Sequence, residues 1–272
     1  MNILVSGASG FFGSNFISYA SKKGHYIYAI SRTKQKKIKN VKWIIGPLDK
    51  NFEEFKKCKV LIHFAAAGVP NRNLPYEKAL ETNIIKSSKF LINAGKAGCL
   101  KWIIIGSSSE YGETLKLGKP ININSPRLPV CNYGKTKSEF SDLTKILSKN
   151  LNARCRIMRT FPVYGKNEKK KRLVPSLLKA IKEKKNFIIQ NPMAILDFSD
   201  IDDIIKKILK AVNFPKKINK SYEVWHLASG KAIKVSDFVK SICKKNNYKQ
   251  KLIYKKDQLN LDHHISDKKS IW

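Results

Sequence analysis

Gly7-Ala8-Ser9-Gly10-Phe11-Phe12-Gly13 decides how the rest of this chain is read. It follows directly on the apolar run Ile3-Leu4-Val5 and opens a stretch in which Phe12, Phe16, Ile17 and Ala20 fall on one helical stripe. A strand, a glycine-rich turn and a helix in immediate succession predict the first βα unit of a dinucleotide-binding sheet. Each glycine has a task there: a tight turn, close approach of the backbone to a pyrophosphate, and close packing of helix on strand. The N–H groups of the first helical turn lack intrahelical partners and face that pyrophosphate together with the positive end of the helix dipole.

Outward from this turn, near-continuous apolar runs at residues 2–6, 26–30, 41–45, 60–64, 102–105 and 156–159 read as strands covered on both faces. Helical patterns separate them; Phe140, Leu143 and Leu147 mark one such stripe. The alternation predicts an α/β fold, a Rossmann-type doubly wound parallel sheet with right-handed crossovers. After Arg159 it gives way to a basic loop at residues 166–172, a helix at 173–184 and short strands at 187–189 and 195–198. A helix at 201–212, a strand at 222–227 and a helix at 235–245 follow. This second part predicts a smaller C-terminal α+β substrate lobe on the sheet's carboxyl edge, so the chain divides into an NAD(P)-binding domain, 1–162, and an interleaved lobe, 163–272. Asp200 or Ser199 is placed to cap the helix that begins near Ile201, and Ser236 falls in the first turn of the last helix.

With 272 residues, 42% of them apolar, the chain can bury a large core, which excludes wholesale disorder. Fifty-four Lys and Arg against 20 Asp and Glu leave a net charge of +34, suited to a polyanionic partner or to a diffuse lysine-rich surface. The densest run, Lys169-Lys170-Lys171-Arg172, reads either as a solvated loop or as a clamp on a substrate pyrophosphate. Nucleic-acid binding would need a basic face with stacking aromatics, and these lysines are scattered through every segment. Met1 runs straight into the first strand without a secretory pattern, and no apolar stretch approaches the roughly 18 residues that span a bilayer. Cys58, Cys99, Cys131, Cys155 and Cys243 show no CxxC or zinc-ligand spacing, and His263-His264 has few partners nearby. The expectation is a cytoplasmic protein with no metal and no membrane insertion. Trp43, Trp102 and Trp225 read as packing residues, Cys99 and Cys131 as small hydrophobes, and Asp202-Asp203 as a helix start.

Cofactor choice follows from the end of the second strand. A carboxylate about 20 residues beyond the glycine turn would hold an NAD ribose 2′-hydroxyl. The chain reads Ala29-Ile30-Ser31-Arg32-Thr33-Lys34 instead, and Arg32 with Ser31 suits a 2′-phosphate, so NADP(H) is favoured over NAD(H). Farther along, Tyr133 and Lys137 stand at i, i+4 on one face of a helical pattern, in Cys131-Asn132-Tyr133-Gly134-Lys135-Thr136-Lys137. An ammonium beside a phenol favours the phenolate, so Tyr133 is expected to have a lowered pKa and to exchange protons near neutral pH. The fifth strand ends in Gly106-Ser107-Ser108-Ser109-Glu110-Tyr111-Gly112, which puts a hydroxyl into the same crevice.

Together these elements resemble the extended short-chain dehydrogenase/reductases of the nucleotide-sugar epimerase/dehydratase family, over nearly the whole chain. Val60-Leu61-Ile62-His63-Phe64-Ala65-Ala66 is similar to the family's fourth strand, and Thr82-Asn83-Ile84 to its Asn-bearing helix. Met158-Arg159-Thr160-Phe161-Pro162-Val163-Tyr164-Gly165 resembles the entry to the substrate lobe, and Leu196-Asp197-Phe198-Ser199-Asp200-Ile201-Asp202-Asp203 its Arg-Asp-Phe element. The resemblance implies Ser107, with Ser108 as fallback, Tyr133 and Lys137 as catalytic residues. It implies a cofactor site formed by Gly7, Ser9, Gly10, Phe11, Phe12, Gly13, Ser31, Arg32, Leu48, Phe64, Ala65, Ala66, Asn83 and Phe161, with Tyr133 and Lys137. It also implies a nucleoside-diphosphate sugar as substrate and a role in carbohydrate or lipopolysaccharide biosynthesis. Family members commonly dimerise through the Asn-bearing and Tyr-bearing helices, and the sequence allows it.

The departures narrow the chemistry. Ser108 and Ser109 stand where related 4,6-dehydratases carry Asp-Glu, and Ser109 stands where double epimerase-reductases carry Cys. Pro162 replaces an Asn of UDP-galactose 4-epimerases, Pro47 an adenine-contacting Asp (with Asp49 close by), and Leu196 the family's Arg. The family's closing C-terminal segment is expected to be missing after Asp267-Lys268-Lys269. What remains is hydride transfer at a sugar carbon, C4, by a 4-ketoreductase, with a 4-epimerase holding NAD as the alternative. A third reading is a non-catalytic dinucleotide-binding sensor.

Overall fold

The apolar runs become the strands of one parallel sheet because each is covered by helices on both faces. The computed structural model describes residues 1–69, 74–214, 221–255 and 262–272. Elements of the first part follow in chain order as β1 (Asn2–Ser6), α1 (Phe11–Lys22), β2 (Tyr26–Ser31), β3 (Val41–Ile45), β4 (Val60–His63) and α2 (Tyr76–Leu80). A π-helical turn, Glu81–Lys86, carries α2 into α3 (Ser87–Lys96), and β5 (Lys101–Ser107), α4 (Asn132–Asn150) and β6 (Arg154–Thr160) complete the series. The sheet order is the strand Tyr222–Leu227, then β6, β5, β4, β1, β2 and β3, and every pairing in it is parallel. Strand order reverses between β1 and β4, the crevice where doubly wound sheets bind their ligands.

Two cores flank the sheet. One joins Phe16, Ile17 and Ala20 of α1 to Ile204, Ile205 and Ile208 of the helix Ile201–Ala211. The other joins Phe90, Leu91 and Ala94 of α3 to Phe140 of α4 and to the fully buried Trp102. A third, smaller core, with Leu177, Ile189, Val235 and Val239, belongs to the substrate-side elements.

The expected lapse of alternation after Arg159 needs correcting. The strand Tyr222–Leu227 lies beside β6 in register, Tyr222 opposite Cys155 and Leu227 opposite Thr160, and the helix Ile201–Ala211 packs on α1. They form an ordinary crossover interrupted by a long detour, so part of the segment assigned to the lobe is built into the central sheet. Arg156 shows how firmly the edge strand is held. It is 1% exposed, its Nε lies 2.7 Å from Glu223, and its guanidinium sits 4.3 Å from the Phe214 ring centroid and 4.6 Å from that of Trp272. Asp200 caps the helix Ile201–Ala211 by accepting from the N–H of Asp202. Among the described residues no helix is long and apolar enough to cross a membrane.

Two of the buried histidines, His63 and His226, are paired with hydroxyl groups. His63 pairs its Nδ1 with the Ser6 hydroxyl at 2.7 Å between the rings of Phe90 and Phe140. His226 stands between the Tyr111 hydroxyl, 2.6 Å from Nε2, and the Ser266 hydroxyl, 2.9 Å from Nδ1. Burial pushes both down to about 3 from an ordinary value of 6.5. Between those values the unfolded chain takes up protons that the folded chain refuses, so stability falls as pH falls. Each histidine is expected to contribute a slope of about 1.4 kcal/mol per pH unit below pH ~6. Urea midpoints between pH 7 and pH 5 measure it. His63→Asn should roughly halve the slope, and a flat profile would contradict neutral burial.

Candidate active site

The glycine turn closes onto the loop after β4. Gly7 has a φ of 64°, and a Cβ there would stand 2.6 Å from the backbone nitrogen of Ala65. A Cβ on Gly13 would stand 2.2 Å from the Gly7 carbonyl oxygen, so α1 can approach β1 this closely only through glycine. Gly10 begins α1 without a side-chain cap, and the first turn carries no acidic residue. Its N–H groups are therefore available to an anion, flanked by the exposed Ser9 and by Phe11. Phe12 stacks on Phe64 with ring centroids 6.0 Å apart, beside Ala65 and Ala66. A backbone cradle that a Cβ would fill, at an uncapped helix start, fits a dinucleotide pyrophosphate.

The flanks of the cradle are uneven. Arg32 is exposed at the end of β2, with no carboxylate at that strand end, whereas the Ser31 hydroxyl is buried and donates to the Thr33 carbonyl at 2.8 Å. Arg32 is thus the free cation at this position and Ser31 mainly shapes the turn. Leu48 packs against the second core after β3. Asn83, in the π-helical turn, spends its amide on the protein. Its Oδ1 accepts from the Ala67 N–H at 2.7 Å, and its Nδ2 donates to the Ala67 carbonyl at 3.1 Å and to Thr136 Oγ1 at 2.9 Å. It ties the Ala65-Ala66-Ala67 loop to α4 in the turn that separates Tyr133 from Lys137.

Ser107, Tyr133 and Lys137 meet at the carboxyl end of β5. The Tyr133 phenol lies by Ser107, whose hydroxyl acts on it to favour the phenolate. Ser107 Oγ also accepts from the Ser109 N–H at 3.1 Å, and Lys137, 3% exposed, donates to the Ile105 carbonyl at 2.5 Å. Gly134 lets the two segments touch, since a Cβ on it would stand 2.4 Å from the Ser109 carbonyl oxygen. The expected lowering of the Tyr133 pKa does not occur in the protein alone. Burial pushes the phenol up to about 12, against smaller opposing effects of the Ser107 hydroxyl and the charge of Arg172. Burial likewise brings Lys137 down to about 8. The Lys137 ammonium is turned to the Ile105 carbonyl.

The basic loop reaches this crevice from the substrate side. The Lys166 carbonyl accepts from Asn15 of α1 at 2.9 Å, and Arg172 pairs with the largely buried Glu168 at 3.4 Å while its charge acts on Tyr133. Lys169, Lys170 and Lys171 are exposed. Asp197 is fully buried and closes the opposite loop, accepting from the N–H groups of Ser229 and Gly230 at 2.8 and 2.9 Å. Phe161 is buried with its ring 4.9 Å from that of His226. The pair His263-His264 is split: His263 Nδ1 accepts from the Ile195 N–H at 3.1 Å, and His264 Nδ1 lies 2.7 Å from Ser108 Oγ.

Sequence reasoning missed the support beneath the serines. Glu110 is fully buried. Its Oε1 accepts from the Ser107 N–H at 2.9 Å, and its Oε2 accepts from Arg159 Nε at 2.8 Å and from the Ser141 hydroxyl at 3.0 Å. Arg159 also donates to the Tyr111 hydroxyl at 2.8 Å, which continues to His226. The signal was present as arginines at 156 and 159 inside a strand covered on both faces, each of which demands a carboxylate.

Comparison with known proteins agrees with this fold. The profile of the NAD dependent epimerase/dehydratase family matches residues 3–227. The chain is 24% identical over 271 residues to dTDP-6-deoxy-L-talose 4-dehydrogenase (NAD(+)) of Aggregatibacter actinomycetemcomitans, covering 93% of this chain and 94% of that one. It is 24% identical to the UDP-glucose 4-epimerase of Vibrio cholerae, over 89% of this chain and 74% of that one. It is also 24% identical to the CDP-abequose synthase of Salmonella muenchen, over 93% and 83%. Among solved structures, UDP-glucose 4-epimerase of Thermotoga maritima with UDP-glucose shares the fold at a TM-score of 0.84 and 21% identity, over 98% of this chain and 90% of that one. UDP-glucuronic acid 4-epimerase of Bacillus cereus in complex with UDP-glucuronic acid and NAD gives the same TM-score, 0.84, and identity, 21%.

The buried pair generates a stability prediction. Glu110→Gln leaves the Arg159 charge in a dry site and is expected to cost about 3–5 kcal/mol. Glu113→Gln, at the exposed pair with Lys116, should cost less than about 0.5 kcal/mol. Urea unfolding of both variants tests this, and equal costs would refute the supporting role.

Proposed function

Because this chain belongs to the NAD dependent epimerase/dehydratase family, we propose that it transfers a hydride at C4 of a nucleoside-diphosphate sugar, as a 4-ketoreductase. The observation that carries this reading is the meeting of Ser107, Tyr133 and Lys137 at the end of β5, with serines rather than an acid and a base at positions 108 and 109. Ser108 and Ser109 hold hydroxyls that stay protonated at neutral pH, and Ser108 is turned toward His264. Neither can perform the elimination a dehydratase needs. Two of the similar proteins are named for dehydrogenation at C4 and for synthesis of CDP-abequose, which supports a reductive or oxidative step on a sugar nucleotide.

The glycine cradle and the start of α1 bind the cofactor diphosphate, while the lysines of the lobe-entry loop and Arg172 clamp the diphosphate of the substrate. When bound, the nicotinamide supplies the hydride. Tyr133 is a phenol at neutral pH, which is the form needed to give a proton to a ketone oxygen as that oxygen gains negative charge. Ser107, whose Oγ already accepts from the Ser109 N–H, has its proton to offer to the same oxygen. The Arg172 charge then stabilises the phenolate left behind. Lys137 is held by the Ile105 carbonyl where it can also bind a ribose hydroxyl.

Arg32 supports NADP(H) as the exchangeable cofactor, since the strand end that would carry an NAD-selecting carboxylate carries a guanidinium. One relative is named for NAD(+), which makes this a sharp test. Arg32→Ala is expected to weaken NADPH binding by about tenfold or more and leave NADH nearly unchanged, as loss of a charge-assisted contact does. Fluorescence titration measures both affinities, and wild-type protein that binds NADH more tightly than NADPH would overturn the assignment.

The UDP-glucose 4-epimerase among the relatives favours a second reading, in which the same residues serve a 4-epimerase with retained NAD. A panel of sugar nucleotides and their 4-keto derivatives separates the two. Steady NADPH oxidation is the expected result, and isomerisation without net NADPH consumption would support the epimerase. Tyr133→Phe should lower turnover by about 10²–10⁴-fold. A variant with unchanged function would instead indicate a dinucleotide-binding sensor.

A further inference from the structure

We propose that the hydrogen bond between Ser108 and His264 makes residues 262–272 a positioning element of the active site, which sets which of three consecutive serines faces Tyr133. The proposal rests on the reading of Ser107 as the catalytic hydroxyl and extends it to a segment far along the chain. Three serines in a row can present any one of three hydroxyls to the crevice, and a slip of one residue would put Ser108 where Ser107 stands.

The structure removes that freedom from outside the turn. Ser108 is 3% exposed and its Oγ lies 2.7 Å from Nδ1 of His264, itself 6% exposed. The His264 carbonyl accepts from the Asp197 N–H at 2.8 Å. On the next residues, the Ile265 carbonyl accepts from Ile121 and the Asp267 N–H donates back to Ile121, both at 2.8 Å. The Ser266 hydroxyl stands 2.9 Å from His226 Nδ1, and the Trp272 N–H donates to the His226 carbonyl at 3.0 Å. His264 is therefore anchored to the lobe strand Ile195–Asp197, to the loop after the serine turn and to the edge strand Tyr222–Leu227. Inside the turn, Glu110 holds the Ser107 N–H and the Ser109 carbonyl abuts Gly134. Ser108 is thus the serine of the run whose hydroxyl is bound to a distant segment, and binding it leaves Ser107 for Tyr133. His264 acts through Ser108 and is a positioning residue.

The experiment follows the Tyr133 ring in the full-length protein labelled with [13Cζ]tyrosine, at pH 7, with the resonance assigned by Tyr133→Phe. Ser107→Ala sets the displacement caused by losing the Ser107 hydroxyl beside the ring. Ser108→Ala and His264→Ala are expected to move the signal in the same direction, and His264→Asn, whose amide can reach the position of Nδ1, to restore it. On the sugar nucleotide selected by the panel, kcat should fall by about tenfold with KM within about twofold, and Ser108→Ala/His264→Ala should be no worse than either single change. A Tyr133 signal that moves with Ser107→Ala but not with Ser108→Ala overturns the proposal. Ser108→Ala removes one oxygen and keeps the test valid should His264→Ala fail to fold. If Ser107→Ala itself leaves the signal in place, the reading of Ser107 fails instead.

Discussion

A carboxylate shut away from water at the carboxyl end of a parallel sheet must be neutralised, and each group that neutralises Glu110 also places part of the crevice. Arg159 balances its charge from the neighbouring strand. The Ser107 N–H fixes the start of the catalytic turn, and the Ser141 hydroxyl draws α4 against that turn. Gly106 is what allows this, since a Cβ there would stand 2.7 Å from Glu110 Oε1 and 3.0 Å from Arg159 Cγ. Such a pair adds little net stability over an apolar equivalent, because desolvation consumes most of the Coulombic gain. Its value is geometric: one arrangement of β5, β6 and α4 brings Glu110, Arg159, Tyr111 and Ser141 together, and alternatives leave a charge exposed to hydrocarbon.

The same low-polarity setting decides the acid–base chemistry. Lys137 was expected to dominate Tyr133, yet burial is the larger effect on both residues and drives each toward its neutral form. A neutral phenol beside a serine is prepared to give a proton, and positive charge brought near it would prepare it to take one. The direction of catalysis is then governed by the charge that accompanies the ligands rather than by the protein's own residues. The net charge of +34 fits this economically. Arg32, Lys137, Arg172 and the lysines beside it have places near the crevice and Arg156 and Arg159 are buried in ion pairs, while exposed lysines elsewhere are screened by solvent and salt.

The fold was legible where burial writes itself into local sequence. Strands covered on both faces are mostly apolar, so most of β1 to β6 stood out as runs, and the glycine turn named the first crossover. The strand Tyr222–Leu227 was legible as a strand but not as part of the sheet. Its Glu223 and His226 break the run, and only the distant partners Arg156 and Tyr111 explain why those polar residues are there. Helical spacing put Tyr133 and Lys137 on one face, their position after β5 gave that spacing weight, and the family resemblance pointed to Ser107. The Ser108–His264 bond joins residues 156 positions apart, and no periodicity within either segment implies the other. Arg32 and Ser31 show the intermediate case: both stand at the end of β2, but a turn hydrogen bond commits the Ser31 hydroxyl and leaves the guanidinium as the exposed group.

Why the serine run should carry no acid or base then has a structural answer. A carboxylate at position 108 would lie where Ser108 now meets His264, under a segment whose neighbours are already bonded to three other elements. A buried ion pair there would have to be neutralised a second time within a short distance of Glu110. At position 109 a longer side chain would stand next to the point where Gly134 admits the Ser109 carbonyl. Small hydroxyl residues satisfy both constraints because they bond neutrally and take little volume. The absence of an acid or base at positions 108 and 109 and the tight closure of α4 on the serine turn are consequences of one packing solution, which the proposed hydride transfer accommodates.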